Sequence, residues 1–405
     1  MDLLYPRCGG LDVHPRSVTA CARIMTDGRV THEVRTFGTS TRELQEMADW
    51  LAGLGCTHLA MESTGVYWKP VWHVLEGRFE LVLANAMHIR NIPGRKSDVK
   101  DAVWISDLLA HGLLRGSFVP PEKIQELRDL TRSRKQLVRE ITRHTQRIQK
   151  TLEDANVKLT EVISNVLGMS GRAILRALIA GETDPERLVD LAEGRLKAPR
   201  EKLIDALRGR ITEHHRFMLR MHLEQVEHLE SAVHDLEARA DQGSFRPATE
   251  LLMTIPGVSE VTARVIVAEI GDDMSRFPTA GNLISWAGLC PRLDESAGKR
   301  RSNRTRRSAP WLKTVLVQAA RAAANKRESY PRAQYLRLKA RRGPNKAVLA
   351  VAATLLTAAY HMLKYGVEYR DLGPNHFDRD KELQASRLIR RLKALGVEVT
   401  VKPAA

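Results

Sequence analysis

Between Ile124 and Ala155, the residues Ile124, Leu127, Thr131, Arg134, Val138, Ile141, Thr145, Ile148, Leu152 and Ala155 recur in alternating steps of three and four. That period commits the segment to one long helix with a seam along one side. Thr131 and Arg134 interrupt the seam, which is therefore imperfect. A second such helix is expected from about 211 to 240, with Val226, Leu229, Val233 and Leu236 at seam spacing. Two long helices returning on each other make an antiparallel coiled-coil arm, suited to dimerisation or to an ordinary bundle within one subunit. The stretches GETDPERLVDL and APREKL between them read as short helices and turns. His214, His215, His222, His228 and His234 crowd the second helix without the Asp, Glu or Cys companions of a metal site, and read as solvated or core histidines.

The arm organises the rest of the 405-residue chain into 1–118, 119–245, 246–370 and a tail, 371–405. Ahead of it, RCGGLDVH, SVTACARIM and RVTHEVRTF read as three strands, with Asp27-Gly28 as a hairpin turn. Thr39-Ser40-Thr41 caps a helix to about Leu54 with Leu44, Met47, Leu51 and Leu54 on one face. HLAMES is a strand, a helix lies near Trp68–Leu75, and ELVLAN is a further strand. Three strands, helix, strand, helix, strand is the order of an RNase H-like (RuvC-like) mixed sheet, an α/β domain followed by a mainly helical remainder.

After the arm, the linker GSFRPAT opens a unit whose LLMTIPGVSEVTARVIVAEIG has the punctuation of a helix-hairpin-helix. Its Pro256-Gly257 turn and the following helix N-terminus can hold a nucleic-acid phosphate; a plain αα-hairpin is the alternative. Charge points the same way. There are 64 Lys and Arg against 48 Asp and Glu, a net +16. Nearly all of the surplus lies between Lys299 and Lys346, where sixteen basic residues face the single acid Glu328. Such a block implies a polyanionic partner, and Lys299, Arg300, Arg301, Arg304, Arg306 and Arg307 are its densest part. A membrane is not expected, because MDLLYPRCGG is no signal peptide and the apolar stretch Val348 to Leu363 is too short to span a bilayer. Cys8, Cys21, Cys56 and Cys290 lack CxxC spacing and read as reduced thiols of a cytoplasmic protein.

Carboxylates supply the chemistry. Asp12 interrupts the apolar run of the first strand, a costly place for a charge that binds nothing positive. Glu62 ends the strand HLAMES, and Asp98 and Asp101 are three apart at a helix start, on one face. Together they can surround two divalent cations, Mg²⁺ or Mn²⁺, which suit oxygen ligands and can act at a phosphodiester. Asp107 is expected to be a surface residue. Ser296, in a glycine-containing loop ahead of the basic run, is a candidate nucleophile, with Ser302 and Ser308 as substitutes.

GLDVH, MESTGVYW, the SDVKDA helix, IPGV, AGLCPR and the SAGKRR loop together resemble the DEDD transposases of bacterial insertion sequences, also called bridge recombinases, over about residues 7 to 370. The resemblance implies a RuvC-like domain binding Mg²⁺ through Asp12, Glu62, Asp98 and Asp101. It also implies a C-terminal transposase domain in which Ser296 forms a covalent bond to DNA. Dimers pairing into tetramers, and a structured noncoding RNA that pairs with donor and target DNA, are implied too. Two departures stand out: Ser-Ala-Gly where many relatives have Ser-Gly, and Arg307-Ser308-Ala309-Pro310 where relatives often have Gly-Asn. A RuvC-like endonuclease resolving branched DNA by hydrolysis would need only the carboxylates. A non-catalytic nucleic-acid-binding scaffold would need neither them nor the serine.

Overall fold

The computed structural model describes residues 3–63, 65–86, 89, 92, 101–192, 198–291, 295, 296, 298–300, 302, 304, 305 and 309–400. Asp98, Arg301, Arg306, Arg307 and Ser308 lie outside the described residues. The chain divides into two compact units, Met1–Pro120 and Pro121–Ala405.

The first unit is a five-stranded mixed sheet. Strands β1 (Arg7–Val13), β2 (Ser17–Thr26) and β3 (Arg29–Gly38) form an antiparallel meander. Asp27 and Gly28 both take positive φ, 50° and 76°, as a two-residue hairpin turn of matching twist requires. β4 (His58–Glu62) runs parallel to β1, and β5 (Glu80–Ala84) parallel to β4, so the order is β3-β2-β1-β4-β5. This α+β arrangement is compatible with an RNase H-like fold.

Alternation sorts the side chains to two faces. Leu11, Val13, Leu59 and Met61 pack under α1 (Thr41–Gly53) and α2 (Trp68–Leu75). Ser40 caps α1, accepting from the Glu43 backbone N–H. Cys8 and Ala60 face the other way, against Ile105, Leu108 and Leu109 of α3 (Asp101–Ala110). Asp107 is not the solvated charge its sequence context suggests. It accepts from Arg23 Nε at 2.9 Å and lies 3.1 Å from His32 Nε2, so it neutralises a guanidinium only 5% exposed and ties α3 to β2 and β3. Cys8, Cys21 and Cys56 are buried and free, and burial pushes the Cys8 and Cys56 thiols up to about 12 and about 11. These three thiols are therefore protonated and unreactive at neutral pH.

The second unit begins with α4 (Glu122–Asp154), followed by α5 (Met169–Ala180), α6 (Pro185–Asp190), α7 (Arg200–Leu207) and α8 (Glu213–Asp241). α4 and α8 run antiparallel: Arg134 meets Glu237, His144 meets His222, and Asp154 meets His215. The seam, already imperfect in the sequence, is thin in its middle. Between Leu127 and Ile148 the only fully buried residue of α4 is Thr131, and Val138 is 38% exposed. Apolar packing is gathered instead at the two ends. Ile148 and Leu152 join Leu175, Leu178, Leu203, Leu219 and Leu223 in a core built with α5 and α7.

The middle of this helix pair holds a pH-sensitive contact. His144 Nδ1 lies 3.2 Å from His222 Nδ1, so one ring must donate while the other accepts. Burial holds both imidazoles below their usual value, helped for His222 by His144 and Arg147 and for His144 by Arg147. A histidine with a depressed folded-state pKa binds more protons unfolded. Its stabilising contribution is therefore complete above the ordinary histidine value and lost as pH falls below about 6.5. Thermal unfolding is expected at lower temperature in acid than at pH 7.5, and His222→Leu is expected to flatten that dependence. An unchanged slope in His222→Leu would mean that other groups set it.

Ile124 and Leu127, at the other end of α4, enter the larger core. It is formed with α9 (Arg246–Met253), α10 (Glu260–Ile270), α11 (Ala280–Trp286), α12 (Pro310–Asn325), α13 (Tyr330–Arg342) and α14 (Pro344–Tyr365). α14 is long and apolar enough to cross a membrane by length and composition, but Val351, Leu355, Leu356 and Ala359 are buried at the core centre and its Tyr360 donates to Phe277 O at 2.9 Å. Residues 381–394 of the tail form a last helix, α15.

Candidate metal centre and serine segment

Leu11 of β1 pairs with Met61 of β4 in parallel register, so the next residues along, Asp12 and Glu62, sit side by side at the carboxyl ends of adjacent strands. Alternation places both on the face that carries α3. Gly10 sets how close that helix comes: a Cβ there would lie 2.1 Å from Ala102 O and 2.5 Å from Ser106 N. The Leu4 N–H donates to Ala110 O at 2.9 Å, so α3 runs antiparallel to β1 and delivers its first residue, Asp101, to the Asp12 end. Three of the four expected acids thus lie at the same end of the sheet. Asp98 lies outside the described residues.

Asp12 is about a quarter exposed, and His14 Nε2 lies 3.2 Å from its Oδ2. Sequence reasoning gives His14 no role; it lies just past the end of β1, where its N–H donates to Ser17 O at 2.9 Å. No group of three His, Cys, Asp or Glu is closed around a single point among the described residues. The donor chemistry of the edge, oxygen carboxylates that are partly open to water beside a helix N-terminus, fits a hard divalent cation.

The serine segment is a hairpin, where a loop was expected. β6 (Glu295–Ser296) pairs antiparallel with β7 (Lys299–Arg300), Ser296 opposite Lys299 and Glu295 opposite Arg300. Gly298 makes the turn with φ of 73° and open space around it. Ser296 therefore occupies the register position next to the tip, paired with the first residue of the basic run. Lys299 and Arg304 are exposed, and Ser302 Oγ accepts from the Arg304 N–H at 3.2 Å.

Lys313 of α12, unremarked in the sequence, fastens the base of this segment. Its Nζ donates to Gly288 O at 3.1 Å and to Thr305 Oγ1 at 2.5 Å, and burial lowers its pKa. Thr305 in turn bridges to Pro291. Gly257, the expected phosphate contact, has a packing reason as well. It takes φ of 81°, and a Cβ would lie 2.5 Å from Ala319 O and Ala323 N of α12.

Ala309, ahead of α12, sits in the left-handed region at φ 39°. Glycine or asparagine would adopt this conformation at lower cost. Ala309→Gly is expected to raise stability by about 1 kcal/mol, read as a shift of the urea midpoint. A fall instead would mean that packing of the Ala309 methyl against the core outweighs the strain.

A model of DEDD transposases of the IS110 type, described as a transposase, matches residues 9–157, and one described as the IS116/IS110/IS902 transposase family matches 249–336. The Streptomyces coelicolor insertion element IS110 uncharacterized 43.6 kDa protein is 29% identical over 305 residues, covering 70% of this chain and 74% of its own length. The two family matches span both the carboxylate edge and the serine hairpin, and the chain belongs to the IS110 family of DEDD transposases.

Proposed function

We propose that this transposase cuts and rejoins DNA through a phosphoserine ester, using Asp12, Glu62, Asp98 and Asp101 to hold Mg²⁺ or Mn²⁺ and Ser296 as nucleophile. The observation that carries the reading is the placement of Asp12, Glu62 and Asp101 at the same end of the sheet, in a chain that also presents a serine at the tip of a basic hairpin. Bound there, a divalent cation would polarise the scissile phosphate and offset charge in the transition state. Ser296 Oγ forms a bond to phosphorus and gives up its proton as the bond to the leaving strand's oxygen breaks, and that oxygen takes up a proton. Attack by the hydroxyl of a second strand reverses the step and frees the serine. The ester conserves the phosphodiester bond energy, so no nucleotide triphosphate is consumed.

Lys299, Arg300, Arg301, Arg304, Arg306 and Arg307 would clamp phosphates, and the Gly257 turn would add a backbone contact. The family resemblance supports three further parts of this reading. A structured noncoding RNA selects donor and target, the chain works as dimers pairing into tetramers, and it acts in the bacterial cytoplasm.

The test uses end-labelled DNA matching the element, the flanking noncoding RNA and Mg²⁺, resolved on a denaturing gel. A protease-sensitive protein–DNA adduct is expected in the wild type and in neither Ser296→Ala nor Asp12→Ala. Cleavage without an adduct that survives in Ser296→Ala would replace this mechanism with simple hydrolysis. Tight DNA binding with no cleavage in any form would leave only a scaffold.

A further inference from the structure

Where α4, α8, α10 and α12 come together there is a cavity of about 370 Å³, within the roughly 300–1,000 Å³ typical of small-molecule sites. Its walls are apolar, with Val138, Leu236, Val261, Val265 and Val315 among them, and Trp311 from the first turn of α12 stands in it. Three cations spaced along α4 approach that ring: Arg132 at 5.5 Å, Lys135 at 4.9 Å and Arg139 at 5.8 Å from its centroid.

The lining charges are not equivalent. Arg132 is engaged by a fork of two bonds to Glu269, both 3.0 Å, and Arg134 is paired with Glu237 at 2.6 Å. Arg264 is held by Asp241 and Glu260. Lys135 and Arg139 have no carboxylate within ion-pairing distance among the described residues. They are one helical turn apart on α4, and burial, followed by Arg139, lowers the Lys135 pKa. Two crowded cations at the mouth of an apolar cavity with an aromatic wall match a ligand that is anionic at one end and flat and apolar at the other.

We infer that this cavity receives one unpaired nucleotide of the nucleic-acid substrate, its base against Trp311 and the aliphatic walls and its phosphate on Lys135 and Arg139. The inference rests on the nucleic-acid reading above but not on the serine or the carboxylates. Its consequence is a preference for strands with an unstacked base, because aromatic contact with a base contributes only when the base has left its helix.

Anisotropy titrations of the full chain decide the matter with three probes: a short single-stranded DNA, the same strand with its bases removed at the central positions, and a duplex of equal length. Trp311→Ala is expected to weaken single-strand binding by about five- to a hundredfold while duplex binding changes less than about twofold. The double variant Lys135→Gln, Arg139→Gln lies at the rim, leaves the core intact and should show the same selective loss. The wild type should bind the abasic strand as weakly as Trp311→Ala binds the intact one. Equal losses on duplex and single strand, or an abasic strand bound as tightly as the intact one, would overturn the pocket while leaving general binding in place. Failure of the wild type to bind any of the three would overturn the underlying nucleic-acid reading as well.

Discussion

Gly10→Ala is expected to cost about a hundredfold in DNA strand cleavage, although position 10 carries no functional group. The reason is the path of α3. Its backbone crosses β1 so closely that the new methyl would lie 2.1 Å from Ala102 O and 2.5 Å from Ser106 N. Backbone on both sides leaves no flexible side chain to yield, so the helix must lift from the sheet. Asp101 is the residue before Ala102 and moves with it, whereas Asp12 and Glu62 stay fixed by strand pairing. A displacement of about 1 Å is enough to misplace a catalytic group. Cleavage per folded molecule, with the folded fraction taken from circular dichroism, is the measurement. Gly53→Ala, where a Cβ meets nothing within 4 Å, is the control expected to match the wild type. Wild-type cleavage in Gly10→Ala would mean that Asp101 is not positioned by this contact.

The largest loss of stability is expected from Glu269→Ala, about 3–5 kcal/mol. Glu269 is only 3% exposed and accepts both arms of the Arg132 fork. Arg128 lies beside it, 3.8 Å from Oε2, while donating to Ala268 O at 3.0 Å and Glu269 O at 2.9 Å, the last carbonyls of α10. Burial already lowers the Arg128 pKa, a measure of how poorly that guanidinium is solvated. Removing the carboxylate takes away the charge that both guanidiniums share, of which Arg128 is only 16% exposed. That is worse than never having built the pair. The midpoint of urea unfolding reports it. Glu269→Gln, which retains a hydrogen-bond acceptor, should lose less, and equal losses would show that shape rather than charge matters at this position.

Features fixed by neighbours in sequence were the legible ones. Strand alternation and the Asp27-Gly28 turn are local and legible in the sequence, whereas the parallel register that sets Asp12 beside Glu62 joins residues fifty apart. The demand on Gly10 comes from a helix some ninety residues later in the chain and leaves no local mark. Asp107 reads like any exposed helix acid because its partner, Arg23, lies 84 residues earlier in the chain. α5 was missed because MSGRAILRALIA begins after Gly168 with no side-chain cap to announce it. The period of α4 marks Arg134 as a lapse in the seam, and the structure adds Val138, which is 38% exposed, while Arg134 meets Glu237. For Ser296, the loop marks only a candidate, the resemblance singles it out, and pairing with Lys299 shows a hairpin.

The helix pair α4 and α8 behaves mechanically as a strut with a weld at each end. Its 33 residues in α4 span about 50 Å, and between Leu127 and Ile148 the apolar packing thins to partly buried side chains such as Ile141. A change of volume in the distal core around Leu175 and Leu203 therefore has only a thin line of packed side chains along which to reach the core that supports the serine hairpin. Inserting whole helical turns into both shafts would lengthen the reach of the molecule while leaving both cores as they are. The distance between the two ends is thus a quantity evolution can adjust by counting turns, independently of the chemistry carried at either one.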